Sequence, residues 1–241
     1  MRYLLFICIF FMHTLVAASM QQQALATISR INQKTGAKME LESVNPTPVA
    51  GILEVTTNQE ILYFSEDGRY VFAGLLIDTQ ADPSSWNLSL EAKTTLRKKA
   101  LDAMAAEDLL IYKASNSKKD HISVFFDTTC PYSRKLHEEV LKLNAAGVEV
   151  RYISFPRAGE DSVAYKDAVS IWCSKDKHSA MDKLNAQDKS VEQSCANHPI
   201  EKHLQLVKSL GIDSTPFVID SQGRFMGGYM SAQDILKSLK I

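Results

Sequence analysis

Phe125-Phe126-Asp127-Thr128-Thr129-Cys130-Pro131-Tyr132-Ser133-Arg134 joins a strand to a helix through a single cysteine. The apolar run from Ile122 to Phe126 reads as a buried strand. A short polar turn follows, and beyond it Leu136, Val140 and Leu143 recur at helical spacing, with Gly147 as a stop. Proline directly after the cysteine suits the first position of a helix, where its missing N–H costs nothing. Cys130 is therefore expected at the positive end of a helix. Unpaired backbone N–H groups there favour an anion, and so a thiolate over a thiol. A cysteine in such a place falls from about 8.5 to as low as ~3.5, which makes a nucleophile at neutral pH. The alternative role of an isolated cysteine is that of a small buried hydrophobe.

Thr129-Cys130-Pro131-Tyr132-Ser133 resembles the active site of thioredoxin-fold proteins, whose usual form is Cys-x-x-Cys. Here Ser133 stands at the second cysteine's position. In a two-cysteine site the second thiol resolves the mixed disulfide and lets the enzyme carry its own disulfide. A hydroxyl does neither, although it can hydrogen-bond a Cys130 thiolate and help lower its pKa. Isomerisation formally needs one thiolate, which attacks a wrong disulfide and is later displaced by a substrate thiol.

The 241 residues allow one large or two small domains, and the net charge of −1 is accompanied by no basic stripe, so nucleic acid is not an expected partner. Met1-Arg2, an apolar run from Leu4 to Val16 and then Ala17-Ala18 read as a secretory leader cleaved after Ala18, because the run is short of the ~20 residues of a membrane span. Cleavage removes Cys8 and leaves Cys130, Cys173 and Cys195. In an oxidising compartment this odd set implies one pair and one free thiol.

Along the mature chain, Met20 to Lys34 carries Leu25, Ile28 and Ile31 at helical spacing. Gly51–Thr57, Glu60–Ser65 and Tyr70–Ile77 read as strands, with a clear turn at Glu66-Asp67-Gly68. So small a module buries little surface alone and is more plausible as half of a dimer. Leu88 to Ala106 reads as a helix with a narrow apolar stripe, either a solvated linker or an outer helix of the second domain. That domain opens with Leu109–Tyr112 as a strand. After the cysteine's helix come strand Val148–Phe155, helices over Asp161–Ser174, Lys175–Lys189 and His198–Leu210, and a hairpin of Pro216–Asp220 with Arg224–Tyr229. Ser231 and Asp234 form a capping pair for the last helix. His137 reads as a helix-surface residue rather than a catalytic base, and His121 belongs to no constellation.

From about Leu109 to Leu239 the chain resembles the DsbC/DsbG family of periplasmic protein disulfide isomerases, its DsbC branch above all. The resemblance rests on Phe126–Cys130 with Lys135–Glu138, on Arg151-Tyr152 with Phe155-Pro156-Arg157, on Ile171–Lys177, and on Gly211 with Ser214-Thr215-Pro216. Pro48–Gly51, Leu62-Tyr63 and Asp67-Gly68 extend it to the N-terminal module. The resemblance implies an α/β fold, α+β overall. Residues 1–18 are the leader, 19–82 a cystatin-like dimerisation domain, 83–107 a linker helix, and 108–241 a thioredoxin-like catalytic domain with a helical insertion. It implies Cys130 as the catalytic residue with Ser133 at the position of the missing resolving cysteine. Tyr132, Thr215 and Pro216 would contact substrate, the last in a cis-proline loop. Cys173 and Cys195 match the family's structural disulfide, worth about 3 kcal/mol on the chain-entropy model. No cofactor and no metal are expected, since the Cys173–Cys195 spacing resembles no zinc site. The expected setting is the periplasm, with misfolded or disulfide-bonded exported proteins as substrates, a second copy as dimer partner and a membrane thiol reductase as candidate redox partner. The other function class is a redox-inactive or covalently trapping chaperone or assembly factor for exported proteins.

Overall fold

The computed structural model describes residues 2–58, 60–115, 117–188 and 191–241, with residues 2–17 as backbone alone. The chain divides into two compact units, residues 1–92 and 93–241. The boundary falls inside helix α2 (Leu88–Asp102). The expected leader forms the head of helix α1 (Arg2–Thr35), and its side chains lie outside the described residues. Among the described residues no helix is long and apolar enough to cross a membrane.

In the first unit the second half of α1 packs on a four-stranded antiparallel sheet in chain order. The strands are β1 (Leu41–Pro46), β2 (Ile52–Thr57), β3 (Ile61–Ser65) and β4 (Val71–Phe72). Ala24 and Ile28, one helical turn apart, meet Leu53, Val55, Leu62 and Phe64. The β3–β4 turn is tied to α1, because Thr27 Oγ1 and Arg30 Nη2 both donate to the Gly68 carbonyl, at 3.2 and 2.7 Å. Gly68 has φ +64°, and a Cβ there would lie 2.4 Å from Thr27 Oγ1, so no other residue fits. Two expectations change here. The strand expected over Tyr70–Ile77 is only Val71–Phe72, and Tyr70, Val71, Phe72 and Leu75 are exposed. The segment offers a sheet no face to bury. Conversely β1 is a strand although it carries little apolar pattern; it pairs along the edge of β2, and its last residue, Pro46, sits where a missing N–H is tolerated.

The second unit is a five-stranded sheet ordered β5-β7-β6-β8-β9. Its strands are β5 (Leu110–Tyr112), β6 (Asp120–Phe126), β7 (Val148–Ser154), β8 (Phe217–Asp220) and β9 (Phe225–Gly227). β6 and β7 run parallel through helices α3 (Pro131–His137) and α4 (Val140–Ala145), and the remaining pairs are antiparallel. Alternation along the central strands divides the core in two. Ile122, Val124, Phe126, Val150 and Tyr152 face Leu136, Val140, Leu143 and Ile235, while Phe125, Ile153 and Ile219 face Val207, Leu210 and Ile212. Both faces are covered, which is why Ile122–Phe126 of β6 is apolar apart from the small buried Ser123. Leu96, Ala100 and Leu101 of α2 join the second face, so this half of α2 is an outer helix of the unit.

The remaining helices are α5 (Val163–Cys173), α6 (Lys177–Asn185), α7 (Ile200–Ser209) and α8 (Ala232–Leu239). The helix expected from Pro131 to Gly147 is broken at Glu138-Glu139 into α3 and α4. Ser231 Oγ accepts from Asp234 N–H at 3.2 Å and so caps α8.

Candidate active site

β6 ends at Phe126, and the turn Asp127–Thr129 delivers Cys130 to the N-cap of α3 with Pro131 at the first helical position. The turn is braced from two directions. Asp127 is buried, and its Oδ1 accepts the Thr129 N–H at 2.8 Å and the Thr129 hydroxyl at 2.5 Å. Its Oδ2 accepts from Arg157 N–H and Nε–H at 3.1 and 3.3 Å. A buried carboxylate needs such partners. On the other side Thr128 Oγ1 donates to Asp167 Oδ2 at 2.9 Å, and Arg134 Nη1 donates to the Thr128 carbonyl at 3.0 Å. Asp127 and Arg157 lie in segments the sequence singles out, but their contact spans 30 residues and no local pattern announces it.

The Cys130 sulfur is buried and lies 3.1 Å from the Thr215 carbonyl oxygen, to which the thiol donates. Thr215 precedes Pro216 through a cis peptide bond. The Thr215 hydroxyl is buried and meets no hydrogen-bond partner, so it is available to a Cys130 thiolate. Ser133 is 2 % exposed, and its hydroxyl accepts from the Asp127 N–H at 3.4 Å. Burial of the sulfur pushes its pKa up. Hydrogen bonding from the Thr215 side chain, the Ser133 N–H and hydroxyl, and the Tyr132 N–H outweighs that, and the thiol falls below the ordinary cysteine value. The site thus holds a thiol biased towards thiolate, with a serine beside it.

Tyr132 is the exposed member of the group, 62 % accessible, with its ring centroid 6.3 Å from that of Tyr229. Lys135, one turn further along α3, places Nζ 4.5 Å above the Tyr229 ring. Tyr229 follows Gly227-Gly228, which closes on the proline: a Cβ on Gly228 would lie 3.6 Å from the Pro216 carbonyl oxygen. Tyr132, Thr215 and Pro216 are therefore gathered around Cys130, together with a Tyr229–Lys135 pair that sequence reading does not single out.

Cys173 and Cys195 are joined in a disulfide, S–S 2.01 Å, and Cys130 is the free thiol among the described residues. No group of His, Cys, Asp and Glu among the described residues is arranged to hold a metal ion. His137 does not stand free on the helix surface. Its side chain is only 9 % exposed. Nε2 donates to Asp182 Oδ1 at 2.9 Å, because a carboxylate can only accept, and Nδ1 then accepts from the Tyr152 hydroxyl at 3.0 Å. Tyr112 donates to the same Asp182 oxygen at 2.9 Å. Burial lowers the pKa of His137, partly opposed by Asp182. The residue fastens α6 to α3 and the sheet.

Residues 106–240 match the thioredoxin-like domain family, and residues 17–89 match the family of the disulfide bond isomerase protein N-terminal domain. The chain is 38% identical over 209 residues to the thiol:disulfide interchange protein DsbC of Escherichia coli (strain K12), covering 86% of this chain and 85% of that one. It is 36% identical over 229 residues to the protein of the same name from Salmonella typhimurium, covering 94% and 92%. In fold it is similar to the crystal structure of a disulfide interchange protein from Neisseria gonorrhoeae, with TM-score 0.50 and 24% identity over 56% of this chain and 97% of that one. Two domains of the matching kinds in this order, with a thiol biased towards thiolate at the head of α3, identify the chain as a member of the DsbC family of thiol–disulfide exchange enzymes.

Proposed function

We propose that this protein rearranges wrong disulfides in exported proteins through Cys130 alone. The observation that carries the reading is the position of Cys130 at a helix N-cap, its sulfur against the Thr215 carbonyl and its neighbour in the resolving position a serine. The Cys130 thiolate attacks one sulfur of a substrate disulfide. That S–S bond breaks, a mixed disulfide forms, and the other substrate sulfur leaves as a thiolate. A second substrate thiol then displaces Cys130, so the cycle consumes no oxidant and no reductant. Ser133 favours the thiolate but offers no exit from a stalled mixed disulfide. Tyr132, Thr215 and Pro216 contact the substrate, whose extended backbone pairs with Thr215 as an added strand would. The Cys173–Cys195 disulfide is structural.

The same reading takes residues 1–18 as a cleaved leader, 19–82 as the dimerisation domain, 83–107 as the linker helix and 108–241 as the catalytic domain. The leader pattern supports a periplasmic setting. Exposed Tyr70, Phe72 and Leu75 on the small first unit support a homodimer. A membrane thiol reductase is the fitting partner for returning Cys130 to the thiol. A second reading, a covalent trap or holdase for one class of exported client, is favoured by Ser133, because a mixed disulfide without an internal exit is long-lived. The test is acid-quench trapping among periplasmic proteins of the host. Mixed disulfides through Cys130 with many clients support the isomerase, adducts with one client support the trap, and none removes both covalent readings.

A further inference from the structure

The aromatic pair Tyr132 and Tyr229 has no part in the exchange chemistry, yet its rings lie together on the unit that carries Cys130. Tyr132 and Lys135 lie one turn apart on α3, and both address Tyr229, with ring centroids 6.3 Å apart in one case and a cation–ring distance of 4.5 Å in the other. The backbone leading to Tyr229 runs past the proline loop. Gly227 has φ +155°, in the region that favours glycine, and Gly228 lies within ordinary contact distance of the Pro216 carbonyl. Tyr229 is thus held by a cation over its ring and by its packing against the core of the unit. A ring already held loses little conformational freedom when a ligand packs on it.

We infer that Tyr132 and Tyr229 form a specificity shelf that selects disulfides flanked by aromatic side chains, two residues from the attacked cysteine. The inference rests on the exchange reading above. Its geometry follows from the strand-like pairing of a client with Thr215. In an extended chain alternate side chains share a face, and residues two apart lie about 7 Å from one another along it. When the client cysteine points at Cys130, its immediate neighbours point away and the residues two positions off point the same way. The exposed ring of Tyr132 and the half-buried ring of Tyr229 are offered on that side, two residues beyond the sulfur in α3 and one residue beyond the Gly227-Gly228 turn. An aromatic side chain there gains edge or offset stacking with the tyrosines. Such flanks are buried in correctly folded clients and exposed in misfolded ones, so the shelf favours chains that need repair. The exchange itself is unchanged: one peptide S–S bond breaks, the Cys130–peptide S–S bond forms, and one peptide thiolate leaves.

The test uses symmetric disulfides of the peptides Xaa-Gly-Cys-Gly-Xaa, with Xaa as Phe, Leu, Ser or Gly, and the reduced full-length protein. Mixed-disulfide formation is followed by stopped-flow and mass spectrometry, with 2-hydroxyethyl disulfide as a small neutral probe. The expected result is a Phe peptide attacked about fivefold faster than the Gly peptide, the equivalent of one aromatic contact. In Tyr229→Ala that ratio falls towards one, and Tyr229→Phe restores it. A wild type equally fast with all four peptides, or a Tyr229→Ala ratio unchanged from wild type, overturns the shelf while leaving the exchange reading intact. A wild type that exchanges with nothing, the hydroxyethyl probe included, overturns the exchange reading and the shelf with it.

Discussion

The sulfur of Cys130 and the carbonyl oxygen of Thr215 are 3.1 Å apart although 85 residues separate them in the chain. One residue comes from the head of α3 and the other from the turn before β8, and the pairing of β6 with β8 brings the two ends together. The thiol thus faces the Thr215 backbone directly.

The groups around this sulfur set its acidity. Burial raises the thiol's pKa, and hydrogen bonds from Thr215, Ser133 and Tyr132 lower it by more. Following the thiolate absorbance or the rate of iodoacetamide alkylation against pH should give a midpoint below that of an ordinary cysteine. Thr215→Val and Ser133→Ala each remove a hydroxyl and should move the midpoint up. A midpoint that stays put or falls in both variants would show that the two hydroxyls do not serve the thiolate.

Ser133 sits one turn from Cys130 and is buried beside it. Serine and cysteine are close in size, so Ser133→Cys should be accepted, and the introduced thiol should oxidise to a disulfide with Cys130. The variant should gain dithiol reductase or oxidase turnover that the wild type lacks. Peptide mapping under non-reducing conditions decides it: a second free thiol that persists under mild oxidant rules the geometry out.

His203 is buried, with Nε2 donating to the Asp108 carbonyl at 2.8 Å and Nδ1 accepting from Ser154 N–H at 3.2 Å. Burial lowers its pKa from 6.5 to about 4. The unfolded chain therefore binds the proton first. Stability is complete above about pH 6.5 and is lost as pH falls towards 4, by about 3 kcal/mol for this residue. Urea unfolding at pH 7 and pH 4.5 should show that loss in the wild type and a smaller one in His203→Gln. Equal losses in both proteins would place the acid sensitivity elsewhere.

The centre of this structure is legible in the sequence because its signals are local. The run Ile122–Phe126, the Cys130-Pro131 pair and the spacing of Leu136, Val140 and Leu143 lie within two dozen residues. β1 is hidden because Leu41 and Val44 alone give no alternation, and the strand forms by backbone pairing on β2. Tyr70–Ile77 looks like a strand for the opposite reason: its apolar residues are real but exposed. The place of His137 on α3 is readable, but not that α6, 45 residues on, lays Asp182 across it. The contacts of Arg157 with Asp127 and of Lys135 with Tyr229 are hidden in the same way, since each joins residues far apart in the chain.

The most direct test of single-thiol isomerisation is a scrambled-disulfide assay comparing wild type with Cys130→Ala at equal concentration. Wild type should recover native pairing slowly, with mixed disulfides visible in quenched samples, and Cys130→Ala should recover none beyond the uncatalysed rate. Equal recovery by the two proteins would contradict a catalytic Cys130 and leave the protein a binder of unfolded chains.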